Sequence, residues 1–441
     1  MMRRTPLSFI AIALLTGSCQ QPPSPPIALV AMADSLEHQD LWPGFNPGST
    51  PVAIFDGSRT LLFRHPAPPP AFTPLRSQDN VWVHPGRDSS VSANTSTELG
   101  GVTVATLMPM ADSIPLLRQA GILVHELFHV FQRAHHPTWA ANEADLFTYP
   151  VHDARQLSLR HLETMALRQA LMTTTDSGAR CWARTATRLR QERFALLPAG
   201  AAAYEHGTEL NEGLATYVER RATGQPDSTI LSPAGFSPTQ VRQRAYRTGV
   251  AIGRLLDRFA PDWRDTLEQR DSLSLDAMLT TATSSADSSC AFSVAVRDSI
   301  SELTGTEVQA LAQQLASARK SFLEQLGWQL VVSAAHPLMP QGFDPLNVQV
   351  VAPGEVLHSR YVKVGNDAGS IEILGRPSLT RAAGAHPLFN GVRTLTVTGL
   401  KAPPSVASAN GALTLSGDGL TATFRGATVD TAGQVIQVQV P

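Results

Sequence analysis

The chain has 441 residues, 43% hydrophobic and 16% charged, with 35 lysines and arginines against 37 aspartates and glutamates. That length and apolar content suffice for a large core and for two or three domains, which excludes a disordered or fibrous chain. The near-balanced charge, with no long run of either sign, argues against nucleic-acid binding and against a polybasic membrane surface.

The chain opens "MMRRTPLSFIAIALLTGSCQQPPSPP", with Arg3 and Arg4 ahead of an apolar run from Leu7 to Leu15. With small residues after the run, residues 1–19 read as an export signal, and the run is too short to span a bilayer as an anchor. Its end, "LLTGSC", resembles the lipobox of bacterial lipoproteins, which implies lipidation of Cys19 and attachment to the cell envelope. The alternative is an ordinary cleaved signal and a secreted chain. The remaining cysteines, Cys181 and Cys290, are either a disulfide, as an oxidising compartment allows, or two buried thiols.

After the signal, "QQPPSPP" begins a proline-rich tether assigned to residues 20–48. Short alternating runs such as "TPVAIFDG", "RTLLFRHP", "NVWVHPG" and "LGGVTVATLM", broken by Pro and Gly, predict a small sheet between about residues 50 and 110. From residue 113 to about 330 the pattern is helical. Leu159, Leu162, Leu167 and Leu171 give one apolar face to "LSLRHLETMALRQAL". Ser237, Pro238 and Gln240 read as a capped helix start, and Thr304 with Glu307 as another. Residues 340–441 revert to valine- and threonine-rich runs with regular turns, which predict an antiparallel β-sandwich. The boundary falls near "HPLMPQGFDP". The fold class expected is α+β, divided into a main domain over 49–335 and an accessory sandwich over 340–441.

One segment carries the chemistry: "GILVHELFHVFQRAHHP", residues 121–137. In a helix, residues four apart share a face, so His125 and His129 can turn two imidazoles to one ion. Glu126 then lies beside the first histidine, where its carboxylate can reach a water at the metal without being a ligand. The surrounding Leu123, Val124, Leu127 and Phe128 predict a core helix. Burying two imidazoles and a carboxylate there is costly unless a metal or specific partners satisfy them. The bland reading is a pair of core histidines bonded to backbone carbonyls beside a salt-bridged Glu126.

A catalytic zinc ion takes three protein ligands. Glu212 in "TELNEGLATYVERR" is a candidate third, with Gly213 after it allowing close approach of chains; Glu143 and His206 are rivals. Here the sequence resembles the gluzincin metallopeptidases, the aminopeptidase-N-like and leukotriene-hydrolase-like enzymes. Residues 211–215, "NEGLA", match their third-ligand motif, and this resemblance makes Glu212 the preferred ligand. "AYRTGVAIGRLLDRF", residues 245–259, matches a Tyr-x-x-Gly helix start, which implies that Tyr246 hydrogen-bonds the oxyanion of the reaction intermediate. The resemblance covers roughly residues 100–270 and implies a zincin-type fold binding one zinc ion.

Two departures stand out. The span from His129 to Glu212 is longer than the family's, so an extra helical hairpin must pack there. No Gly-x-Met-Glu-Asn strand of the kind that binds a free amino terminus is found. The expected function is zinc-dependent hydrolysis of a peptide or protein substrate outside the cytoplasm, with Glu126 as general base and "GVTVATLM" as an edge strand aligning the substrate. Thr216 and Glu209 are candidates for orienting the ligand, and Glu163 for a solvated or salt-bridged face. The alternatives are a surface binding lipoprotein with a structural metal site, or a zinc hydrolase of non-peptide substrates.

Overall fold

A computed structural model describes residues 25–36, 40–111, 113–270, 272–284, 290–345 and 347–441. The export signal and Cys19 lie outside the described residues. The chain is α+β, with a small N-terminal sheet, a helical middle and a C-terminal antiparallel sheet system. It divides into two compact units: Asn46–Leu127 with the N-terminal helix, and Asp40–Phe45 with Phe128–Pro441.

In the first unit the apolar run "IALVAMA" folds as helix α1 (Pro25–Ser35), burying Leu29, Val30 and Ala33. This segment therefore departs from the extended tether expected over 20–48. Six strands follow: β1 (Val52–Phe55), β2 (Arg59–Phe63), β3 (Thr73–Pro74), β4 (Val81–Pro85), β5 (Thr95–Leu99) and β6 (Val102–Leu107). Their order is β3-β4-β2-β1-β6-β5, with β1 and β6 parallel. Alternation along the strands sends Ala53, Leu62 and Val104 into one core with Phe72 and Val91.

The expected edge strand "GVTVATLM" is a correction. β6 is paired on both sides, by β1 and β5, so β5 is the edge on that flank. The reason is local. Gly100 and Gly101 both take positive φ, 57° and 78°, and close a two-residue hairpin that folds "TSTEL" back onto β6.

Helix α2 (Leu116–His135) runs across the division between the units. In the second unit α3 (Ala154–Met172) and α4 (Asp176–Phe194) form the helical hairpin expected between His129 and Glu212. Then come α5 (Ala199–Thr208), a π-helical segment Glu209–Gly213, α6 (Leu214–Thr223), α7 (Val241–Phe259), α8 (Trp263–Gln269), α9 (Leu275–Ala282) and α10 (Val294–Leu323). Cys181 and Cys290 form a disulfide, with Cα atoms 5.3 Å apart. Among the described residues no helix is long and apolar enough to cross a membrane.

Both expected helix starts differ in detail. α7 begins at Val241, and of the capping box only one half forms: Gln240 Oε1 accepts from the Ser237 backbone N–H at 2.9 Å. Thr304 and Glu307 lie inside the continuous α10, which is capped by Ser293. Tertiary partners take up both side chains, since Thr304 bonds Ser158 and Glu307 bonds His161.

The last part of the second unit is built on the long strand β7 (Trp328–Phe343), which runs through the "HPLMPQGFDP" segment. Its first half pairs with Val392–Leu400 and, in parallel, with Val435–Val440; its second half pairs with Tyr361–Asn366. The two halves thus belong to two groups of strands around one core, which includes Leu330, Val332, Val362, Ile371, Leu415 and Phe424.

Candidate metal centre

Leu123, Val124, Leu127 and Phe128 of α2 are fully buried, so this is the core helix that its apolar surround predicts. His125 and His129, one turn apart, share a face and are half-buried. Glu126, between them in sequence, is 8% exposed, a low value for a carboxylate.

The third member arrives through a local irregularity. Between α5 and α6 the helix widens into the π segment Glu209–Gly213, which carries Glu212. Such single-turn π segments recur at functional sites because they shift side chains off the regular helical pattern. Two glycines let this segment close against α7. A Cβ on Gly213 would meet the Cα of Gly249 at 2.9 Å, and one on Gly249 would meet the Cα of Gly213 at 2.7 Å. The glycines following Glu212 and Tyr246 in the sequence are therefore one contact seen from its two sides. The result is a group of three: one ligand atom each from His125, His129 and Glu212, all within 4.8 Å of one another.

The surrounding contacts orient these groups. His129 Nε2 lies 3.2 Å from Glu212 Oε2, and His129 Nδ1 lies 2.8 Å from Gln132 Oε1. Donation from Nδ1 to the amide oxygen leaves the Nε2 lone pair for an ion. The same Gln132 donates through Nε2 to the carbonyls of Leu210 and Asn211, each at 2.9 Å, tying α2 to the π segment. Arg242 Nη2 donates to Glu212 Oε1 at 2.9 Å, and its guanidinium lies 5.7 Å from the ring centre of Tyr246. Burial first, then the charge of Glu212 and a hydrogen bond to it, push the Tyr246 phenol well above its ordinary pKa. Tyr246 is thus a neutral hydrogen-bond donor at the edge of the group.

Behind the π segment sits a buried ionic cluster. Arg190 holds Glu209 through two bonds of 2.7 Å and Glu163 at 2.8 Å; Arg193 and Arg244 join Glu163 to Glu205. All six side chains are at most 2% exposed. Three carboxylates facing three guanidiniums keep buried charges paired, which a burial of this depth requires. Glu163 is therefore salt-bridged and buried, not solvated. Glu209 anchors the π segment, while the Thr216 hydroxyl donates to the backbone carbonyl of Glu212 at 2.8 Å, not to its carboxylate.

Neither rival ligand belongs to the group of three found among the described residues. Glu143 bonds Arg242, and His206 lies 3.1 Å from Asp276. His135 stacks on Phe131 at the end of α2, and His136 bonds Glu268. Sequence reasoning missed Gln132 and Arg242. Each sits at helical spacing from a named residue, three after His129 and four before Tyr246, but spacing does not reveal a partner on another element.

Compared with known proteins, the chain matches no family model, no curated protein and no solved structure. The donor set itself limits the chemistry. Two imidazoles and one carboxylate form a group compatible with a metal ion, and three such ligands leave room for a further one.

Proposed function

We propose that this chain is a zinc-dependent peptide hydrolase of the gluzincin type, acting outside the cytoplasm. The observation that carries the reading is the convergence of His125, His129 and Glu212 within 4.8 Å, a donor set that suits a catalytic zinc. The Cys181–Cys290 disulfide supports an oxidising compartment and hence export, with Cys19 as the candidate lipid attachment point.

When bound, zinc supplies Lewis acidity, which makes a water easier to deprotonate and a carbonyl easier to attack. Glu126 takes the proton as the water oxygen bonds to the scissile carbonyl carbon, then delivers it to the amide nitrogen as the C–N bond breaks. Tyr246, a phenol that is neutral at neutral pH, donates a hydrogen bond to the carbonyl oxygen as it gains charge. Gln132 and Arg242 hold His129 and Glu212 in place.

The test pairs metal content with hydrolysis of a broad peptide library. Wild type is expected to hold near one zinc per chain and to cleave peptides. Glu212→Ala loses the metal. Glu126→Gln keeps it but slows hydrolysis by about 10²–10⁴-fold. An unchanged rate in Glu126→Gln, or a well-folded wild type that takes up no zinc, overturns the reading.

A further inference from the structure

Phe147 lies among the helices in sequence, yet its side chain is 6% exposed and belongs to the core of the C-terminal strands. It sits on the short 3₁₀ helix Glu143–Thr148, and its ring meets those of Phe343, Phe389 and His386 edge-on, with centres 5.4, 5.9 and 5.9 Å away. Rings in this arrangement attract one another beyond the area they bury. His386 adds a directed contact. It lies in the turn between strands Ser378–Ala382 and Val392–Leu400, where its Nδ1 accepts the backbone N–H groups of Leu388 and Phe389 at 3.1 and 2.9 Å. The ring proton is therefore on Nε2, which donates to the Ala144 carbonyl at 3.0 Å.

The same short helix begins with Glu143, whose carboxylate accepts from Arg242 Nη1. Arg242 Nη2 in turn donates to Glu212 Oε1 at 2.9 Å. A guanidinium is planar and rigid, so a carboxylate on one terminal nitrogen fixes the direction in which the other points. Contacts thus run without a gap from His386 to Ala144, from Glu143 to Arg242 and from Arg242 to Glu212, all inside the second unit. On its other side the short helix is braced by α5. A Cβ on Gly200 would meet Asp145 Oδ1 at 2.6 Å, and the Tyr204 hydroxyl donates to Glu143 Oε2 at 3.4 Å.

The structure assigns the C-terminal strands a positioning role at the metal centre: through Phe147 and His386 they set Glu143, and with it Arg242 and the carboxylate of Glu212. The inference rests on the zinc-peptidase reading above, in which Glu212 is a ligand. It is tested on the full chain by zinc affinity, measured in competition with a chromophoric chelator, and by the visible spectrum of the cobalt-loaded protein, which reports ligand geometry. His386→Ala and Glu143→Ala are each expected to weaken zinc binding about tenfold, the lower end of the effect of groups that orient a ligand, and to change the cobalt spectrum. Because both act along one line of contacts, the double variant should also bind about tenfold more weakly, whereas independent effects would multiply to about a hundredfold. Phe147→Leu, which keeps an apolar side chain in the core, should act in the same direction and replaces His386→Ala in the series if that protein does not fold. Wild-type affinity and spectrum in a folded His386→Ala or Phe147→Leu protein, or a multiplied loss in the double variant, overturns the positioning role and leaves the peptidase reading standing. A folded wild-type chain that takes up no zinc overturns both.

Discussion

Gln132 Oε1 lies 2.8 Å from His129 Nδ1, while the amide nitrogen of the same side chain bonds the two carbonyls just before Glu212. One buried amide thus sets the ring orientation of one candidate ligand and the backbone position of another.

Gln132→Leu removes both functions while keeping a side chain of similar size. Metal affinity is expected to fall about 10–100-fold, as for other groups that orient a ligand histidine. Competition with a chromophoric chelator measures it, with a thermal melt run alongside to report folding. Wild-type affinity in a folded Gln132→Leu protein would show that α2 alone positions His129.

The contact between Gly213 and Gly249 leaves no room for a methyl group. Gly249→Ala places a Cβ 2.7 Å from the Gly213 Cα and 3.0 Å from the Glu209 carbonyl oxygen, both backbone atoms. Overpacking of this kind costs about 1–3 kcal/mol, and the π segment is expected to give way, carrying Glu212 with it. Denaturant unfolding and zinc content should both fall. Gly305→Ala, where an added Cβ meets nothing within 4 Å, serves as the control.

The ionic cluster behind the site makes stability depend on acid. Burial raises the Glu205 carboxyl, but the charge and hydrogen bonds of Arg193, followed by the charge of Arg244, outweigh it and hold the group at about 2 against an ordinary 4.5. With the folded value depressed, the unfolded chain binds more protons between these limits. The stabilisation is complete above pH 4.5 and is lost as the pH falls towards 2. Urea unfolding at stepped pH should show a loss on the order of 3 kcal/mol across that window, at 1.36 kcal/mol per unit. Glu205→Gln should be less stable at neutral pH and show a shallower slope. A flat profile from pH 5 to 2 would mean that the cluster contributes nothing.

Much of this is legible in the sequence. The two histidines on one face and the core character of their helix follow from local spacing, because helical periodicity is a property of consecutive residues; the hairpin of α3 and α4 follows instead from the resemblance, whose span between His129 and Glu212 is shorter. The preference for Glu212 over Glu143 rests on its flanking residues, and the structure brings Glu212 within 4.8 Å of His125 and His129. The edge-strand expectation fails because pairing is only partly local. The alternation of "VTVATL" establishes a strand, but its neighbours depend on the Gly100–Gly101 turn and on β1, some 50 residues earlier.

The sequence by itself determined the fold class and two of the three candidate ligands, since both are written in the spacing of neighbouring residues. Only the tertiary structure decided which partners those residues meet. Gln132, Arg190 and Arg242 look in sequence like polar residues on helix faces, yet each is buried or half-buried against a group on another element. An arginine on a solvated face and one inside an ionic cluster have the same helical spacing. What separates them is whether another part of the chain brings a carboxylate to meet the charge, and that is settled by packing between distant segments.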